Sequence, residues 1–157
     1  RNPFMWQRIQ TLFLVLVVVS MLMSLFLPIW KFTDGAKELQ LFPLHFTTIE
    51  NNQRITSYFP YSITAILMVA AATIAIMEIK RFDNRMIQVK LGTLNSLILA
   101  GVMICVVIFY NNATKEYGYG RYGLSLWIPF VGVACNWLAI RFIRRDEKLV
   151  RDSDRIR

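Results

Sequence analysis

Four long stretches without a charged residue restrict what this chain can fold into more than any other feature. They cover residues 9–29, 58–77, 91–110 and 124–140. A helix of about 20 residues, rising ~1.5 Å per residue, spans the hydrocarbon core of a bilayer. The sequence therefore predicts four transmembrane helices. Since the chain has 157 residues, these helices form a single transmembrane domain, with a first outer loop at 30–57 and a tail at 141–157.

The basic residues indicate the orientation of these helices. Residues 1–8, the second loop and the tail together hold 13 Lys and Arg, whereas the first and third loops hold 5. Lys and Arg accumulate in the short segments that stay in the cytoplasm. Both termini are therefore predicted to be cytoplasmic.

The predicted fold class is an all-α membrane protein, a four-helix transmembrane bundle with an amphipathic C-terminal extension. Asp34-Gly35 and Asn51-Asn52 in the first outer loop are turn dipeptides. Apolar residues alternate loosely between residues 38 and 46, which favours two or three short strands. Pro43 would have to lie at an edge or a bulge of this small β element. An equally compatible alternative is an irregular loop.

Composition argues against several classes of function. The net charge is +8, but the basic residues flank apolar segments, where orientation and anionic headgroups explain them. Nucleic acid is therefore not a predicted partner. Cys105 and Cys135 fall at different depths of their helices, and His45 has no acid or cysteine near it in sequence. The sequence predicts no disulfide, no metal site, no cofactor and no enzymatic activity.

Three amides form a candidate polar layer, defined as Gln10, Asn95 and Asn136. Asn95 lies five residues after Lys90, and Asn136 lies five residues before Arg141. On straight helices both asparagines would sit ~7 Å inside the cytoplasmic boundary. The plainer interpretation is hydrogen bonding between helices. The functional interpretation is a polar site for an ion or a headgroup.

Other residues have a structural and a functional interpretation of the same kind. Glu78 is predicted to pair with Arg81 on one helix face, and it would serve in a proton relay only if it pointed inward. Pro129 within the fourth run predicts a kink. Tryptophans near the ends of the runs are typical of membrane-interface anchors. They are Trp6, Trp30, Trp127 and Trp137.

The tail combines dense charge of both signs with apolar residues seven apart. Phe142 and Leu149, Ile143 and Val150, and Leu149 and Ile156 are such pairs. An amphipathic helix is predicted, which would lie on anionic lipid, dock on a protein partner, or end in solvent. The candidate interaction residues are Arg144, Arg145, Asp146, Glu147, Lys148, Leu149, Val150 and Arg151.

Several segments resemble a family of small bacterial inner-membrane proteins that is known only as a domain of unknown function. They are MWQRIQTLFL near the start, VKLGTLN in the third run, and LWIPFVGVACNWLAIRFIRRDEKLVRDSDRIR at the end. The resemblance extends over essentially the whole chain from Met5. It implies the four-span plan and a bacterial inner-membrane location, and it implies no activity, substrate or cofactor.

The preferred hypothesis for function is a structural or accessory subunit of a membrane complex. Its expected partners are the lipid bilayer, proteins bound through the tail, and further copies of the chain. The alternative is a small transporter or channel subunit that uses the polar layer at Asn95 and Asn136. An intramembrane enzyme ranks third.

Overall fold

A computed structural model describes the backbone of residues 3–155 and the side chains of residues 9–155. Each helix packs against the next, and the last packs against the first, so the helices form a closed ring. By length and composition alone, four helices of the described chain are apolar enough to cross a membrane. The helices are α1 (Pro3–Phe26), α2 (Ser62–Lys80), α3 (Arg85–Tyr117) and α4 (Ile128–Asp154).

The all-α prediction is wrong, because a five-stranded antiparallel sheet covers one end of the bundle. Its strands lie in the order β4-β3-β2-β1-β5. Four strands come from the first loop and the fifth comes from the third loop. They are β1 (Trp30–Asp34), β2 (Lys37–Leu41), β3 (Phe46–Glu50), β4 (Gln53–Ser57) and β5 (Arg121–Tyr122).

Local turn chemistry builds the four-stranded part of this sheet. Gly35 has φ 56°, and Asn51 and Asn52 have φ 51° and 63°, the left-handed values that Gly and Asn tolerate. Both predicted turn dipeptides are therefore confirmed. Pro43 lies between β2 and β3, outside the strands, where it removes no hydrogen bond from the ladder.

The fifth strand is held by contacts between segments that are far apart in sequence. Trp30 pairs with Tyr122, and the backbone N–H of Gly123 donates to the carbonyl of Ile29 at 2.8 Å. A Cβ at position 123 would overlap the carbonyl oxygen of Pro28. Close backbone approach therefore requires glycine at this position.

Aromatic rings join the sheet to the ends of the helices. Phe46 stacks on Tyr61 and Tyr117, with ring centroids 5.5 and 5.8 Å away. Trp30 is fully buried and lies 5.8 Å from Phe32 and 6.4 Å from Tyr117. The interpretation of Trp30 as an exposed interface anchor is therefore wrong. Sheet and bundle share one hydrophobic core.

The helix ends differ from the ends of the predicted apolar runs. α3 begins after Asn84, whose side chain accepts from the N–H of Ile87 at 3.2 Å, and continues to Tyr117. α4 begins at Ile128, so Pro129 lies in its first turn, where the proline costs no helical hydrogen bond. The predicted kink at Pro129 is wrong. The side chains of residues 1–8, including Trp6, and Ile156 of the predicted tail stripe lie outside the described residues.

Candidate functional site

The three amides of the polar layer are all buried in the bundle. Gln10 on α1 is 6% exposed, Asn95 on α3 is fully buried, and Asn136 on α4 is 1% exposed. Each sits on one of the four helices that are long and apolar enough to cross a membrane. Buried amides in such a setting need partners, because an unsatisfied polar group costs free energy.

Asn136 satisfies its amino group across the interface between α3 and α4. Its Nδ2 donates to Ser96 Oγ at 2.9 Å and to the carbonyl oxygen of Gly92 at 3.2 Å. Neither side-chain atom of Asn95 has a hydrogen-bond partner among the described residues. The two asparagines therefore share the bundle interior without bonding to each other. Asn136 therefore links α4 to α3 through two hydrogen bonds.

Glu78 is a buried acid in the structure, whereas the sequence predicts that it pairs with Arg81 on one helix face. Its side chain is fully buried, and in the described chain neither carboxylate oxygen has a hydrogen-bond partner. The predicted pairing with Arg81 is wrong, since α2 ends at Lys80 and Arg81 is an exposed, non-helical C-cap residue. The spacing of three residues brings side chains together only while the helix continues.

The surroundings of Glu78 come from three helices. Gln88 Nε2 on α3 donates to the backbone carbonyl of Glu78 at 2.9 Å. A Cβ at Gly92 would lie 2.8 Å from Glu78 Oε1 and 2.7 Å from Ile140 Cγ1 on α4. Glycine at position 92 therefore makes the space in which the carboxyl group sits. Asn136 contacts the same glycine from α4, so the acid and the amide border one point of the bundle.

An ionised carboxylate is unstable in such a place. Burying a charge without a partner costs several kcal/mol even after the protein relaxes. Asn136 Oδ1, on the amide that contacts Gly92, is also buried without a hydrogen-bond partner among the described residues, and so is Gln10 Nε2 on α1. Buried polar atoms without partners are rare in folded proteins and require an explanation at each position.

A surface groove lies on the flank of α3 and α4 and shares one lining residue, Ile140, with the surroundings of this acid. It encloses about 350 Å³ and is lined by Thr93, Ser96, Trp137, Ile140, Arg141 and Arg144. Ile140 lines the groove and also lies against Gly92 beside Glu78. One isoleucine side chain therefore stands at the boundary between the groove and the buried carboxyl group.

The described residues contain no group of three or more His, Cys, Asp or Glu side chains placed to hold a metal ion. Cys105 and Cys135 are free thiols. The polar side chains that the described residues bring to this site are the carboxyl group of Glu78 and the amides of Gln88 and Asn136.

The tail divides into a docked part and an exposed part. Arg85 Nη2 lies 3.0 Å from Asp146 Oδ2, and Arg85 Nη1 donates to the carbonyl of Asp146 at 3.3 Å. Phe142 stacks on Phe13 of α1 at 5.7 Å, and Ile143 is fully buried. The first half of the predicted apolar stripe is therefore used within the bundle. Beyond Asp146 the stripe is open.

The sequence between residues 6 and 156 matches the family described as "Domain of unknown function (DUF4293)". The chain belongs to this family. The resemblance noted from the sequence is thereby confirmed at the level of the family, whose description names no activity. No curated protein matches the chain.

Proposed function

We propose that the chain is a multi-pass protein of the bacterial inner membrane, with both termini in the cytoplasm. Four helices of sufficient length and apolarity support this placement. The Arg85–Asp146 contact puts the tail beside the connection between α2 and α3, and the sheet joins the first and third loops. The segments rich in Lys and Arg therefore meet at one end of the bundle, and the segments with few Lys and Arg meet at the other end. The positive-inside rule requires this separation.

Thiol labelling of single-cysteine variants tests this topology. In a background lacking Cys105 and Cys135, a membrane-impermeant reagent applied to spheroplasts should label Asp34→Cys and Tyr119→Cys. It should label Asp83→Cys and Val150→Cys only after the membrane is permeabilised. All four positions are exposed in the structure, so access to the thiol depends on the side of the membrane. Labelling of Asp83→Cys or Val150→Cys in sealed spheroplasts would contradict the proposed orientation.

Within this membrane the protein acts as a small transporter or channel subunit that takes up and releases a proton at Glu78. The observation that carries this proposal is the buried carboxyl group without a partner. An ionisable residue inside a membrane bundle is by default a functional site, because its burial is costly and stability alone would select against it. Glu78 is stable there in the neutral, protonated form.

The position of Glu78 fits exchange with the cytoplasmic side. It lies two residues before the end of α2, and Ile140, which lies against Gly92 beside it, also lines the groove between α3 and α4. The proposal requires a protonated carboxylic acid at Glu78 near neutral pH, which infrared spectroscopy of the purified protein detects.

The exposed end of the tail favours a second candidate function, that of an accessory subunit. Leu149 is 57% exposed and Val150 is 45% exposed, although both continue an apolar stripe. Charges of both signs surround them, which suits a protein surface better than anionic lipid, since acidic residues weaken lipid attraction. In this function the tail beyond Asp146 binds another membrane or cytoplasmic protein.

Two truncations test the accessory function. Deletion of residues 148–157 should leave insertion and thermal stability unchanged, because the contacts of Phe142, Ile143 and Asp146 remain, but it should abolish co-purification of a bound partner in mild detergent. Deletion of residues 152–157 is the matched control, since it retains Leu149 and Val150 and should keep the partner. Equal partner yields from both truncations and the intact chain would show that the tail is only a solvated helix end.

A further inference from the structure

A second cavity lies at the opposite end of the bundle from Glu78. It encloses about 630 Å³ between the end of α1 and the start of α2, beneath the sheet. Leu25 and Phe26 line it from α1, and Ala65, Ile66 and Val69 line it from α2. Its volume falls within the range of small-ligand sites, roughly 300 to 1,000 Å³.

The helical walls of this cavity are apolar and open sideways. Phe26 is 80% exposed, Ile66 is 65% exposed and Val69 is 50% exposed. In the proposed membrane these side chains face the hydrocarbon of the outer leaflet. A groove that is apolar and continuous with the bilayer is matched by an alkyl chain.

The roof of the cavity consists of Phe42, Leu44, His45 and Arg54, of which Arg54 carries a positive charge. Arg54 lies on β4, the edge strand of the sheet, and lines the cavity from above. Among the described residues Arg54 forms no ion pair, while Glu50 of the neighbouring strand pairs with Lys37 at 3.9 Å. A guanidinium group without a carboxylate partner is suited to bind a phosphate through two parallel hydrogen bonds.

His45 completes the roof as a neutral group. Burial, and then the positive charge of Arg54, hold the pKa of His45 below its usual value. Its Nδ1 lies 2.8 Å from Thr47 Oγ1, and its ring lies 4.9 Å from that of Phe42. These contacts hold the ring in place. They leave Nε2 available to donate a hydrogen bond to a ligand or to accept one from it. The roof therefore offers one cation and one neutral hydrogen-bonding group above an apolar trough.

We propose that this cavity binds one anionic phospholipid of the outer leaflet, with an acyl chain against Ile66 and Val69 and the phosphate at Arg54. The inference rests on the proposed insertion with the sheet at the outer surface. Charge complementarity selects an anionic headgroup, and the sideways opening selects a lipid over a water-soluble anion. The sheet then holds the headgroup where the bilayer meets the periplasm.

Lipid retention by the purified protein tests the proposal. Protein in a non-ionic detergent is titrated with dioleoyl phosphatidylglycerol or dioleoyl phosphatidylethanolamine, and bound lipids are counted by native mass spectrometry. One phosphatidylglycerol should bind at saturation. Arg54→Gln should weaken that binding about tenfold, the effect of one charge-assisted contact, and Arg54→Lys should restore part of it. Val69→Trp should also weaken binding, because it fills the trough while retaining the charge.

Arg121→Gln is the matched control, since Arg121 is an exposed arginine of the same sheet outside the cavity. It should bind phosphatidylglycerol like the unmodified chain. Unchanged binding by both Arg54→Gln and Val69→Trp, or equal binding of the two lipids by the unmodified chain, would overturn the proposal. The measurement is made in detergent and does not depend on orientation, so its failure is distinguishable from a failure of the proposed topology.

Discussion

Gly123→Ala is expected to lower the free energy of unfolding by about 3 kcal/mol, the upper part of the range for overpacked positions. The new methyl group would overlap the carbonyl oxygen of Pro28, which is backbone and cannot rotate away. The segment must then move, and it would lose the hydrogen bond from Gly123 to Ile29 and the pairing of β5 with β1. Thermal unfolding in detergent, followed by circular dichroism, measures the effect.

Gly101→Ala is the matched control for this prediction. A Cβ at position 101 would meet Leu67 Cδ1 at 3.5 Å, an ordinary van der Waals contact inside a helix. Alanine is favoured over glycine in helices by about 1 kcal/mol, so this variant should be as stable as the unmodified chain or more stable. Similar melting temperatures for the two variants would contradict the account of the sheet edge.

Glu78→Leu is expected to raise the free energy of unfolding by about 2 kcal/mol. Leucine fills a comparable space and removes a polar group whose buried oxygens have no partner, a defect that costs about 1–3 kcal/mol. A bundle that becomes more stable when an acid is removed retains that acid for function. The same thermal unfolding assay provides the measurement.

Glu50→Leu is the control, because it removes a carboxylate that is 57% exposed and sits in a long, 3.9 Å ion pair. Its effect should stay within about 0.5 kcal/mol, as for most surface substitutions. Glu78→Leu could instead lower the free energy of unfolding as much as breaking a buried ion pair does. That result would show that Glu78 has a partner in solution.

The helices could be predicted from the sequence because a run of apolar residues is a local signal. The sheet could be predicted only in part. Its turns at Gly35 and Asn51 are visible in the sequence, but β5 has two residues and pairs with Trp30 through contacts that no local pattern encodes. The pairing of β5 with β1 forms only when the whole chain packs. For this reason the sequence predicts an all-α fold class, and that prediction is wrong.

The sequence likewise predicts only some features of the candidate site. Burial of Asn95 and Asn136 follows from their depth in apolar runs. The sequence leaves the burial of Glu78 open, because the alternative pairing with Arg81 depends on a helical spacing that the end of α2 at Lys80 interrupts. Gly92, the residue that makes room for the carboxyl group, carries no signal of its own, since a small residue in a membrane helix is ordinary.

Infrared spectroscopy of the purified protein in a detergent without ester groups tests the central claim most directly. At neutral pH the unmodified chain should show the carbonyl stretching band of a protonated carboxylic acid. That band should be absent in Glu78→Gln, which replaces the acid with an isosteric amide, and it should persist in the control Glu50→Gln. Absence of the band from the unmodified chain, or its survival in Glu78→Gln, would contradict a protonated Glu78 and with it the proposed function.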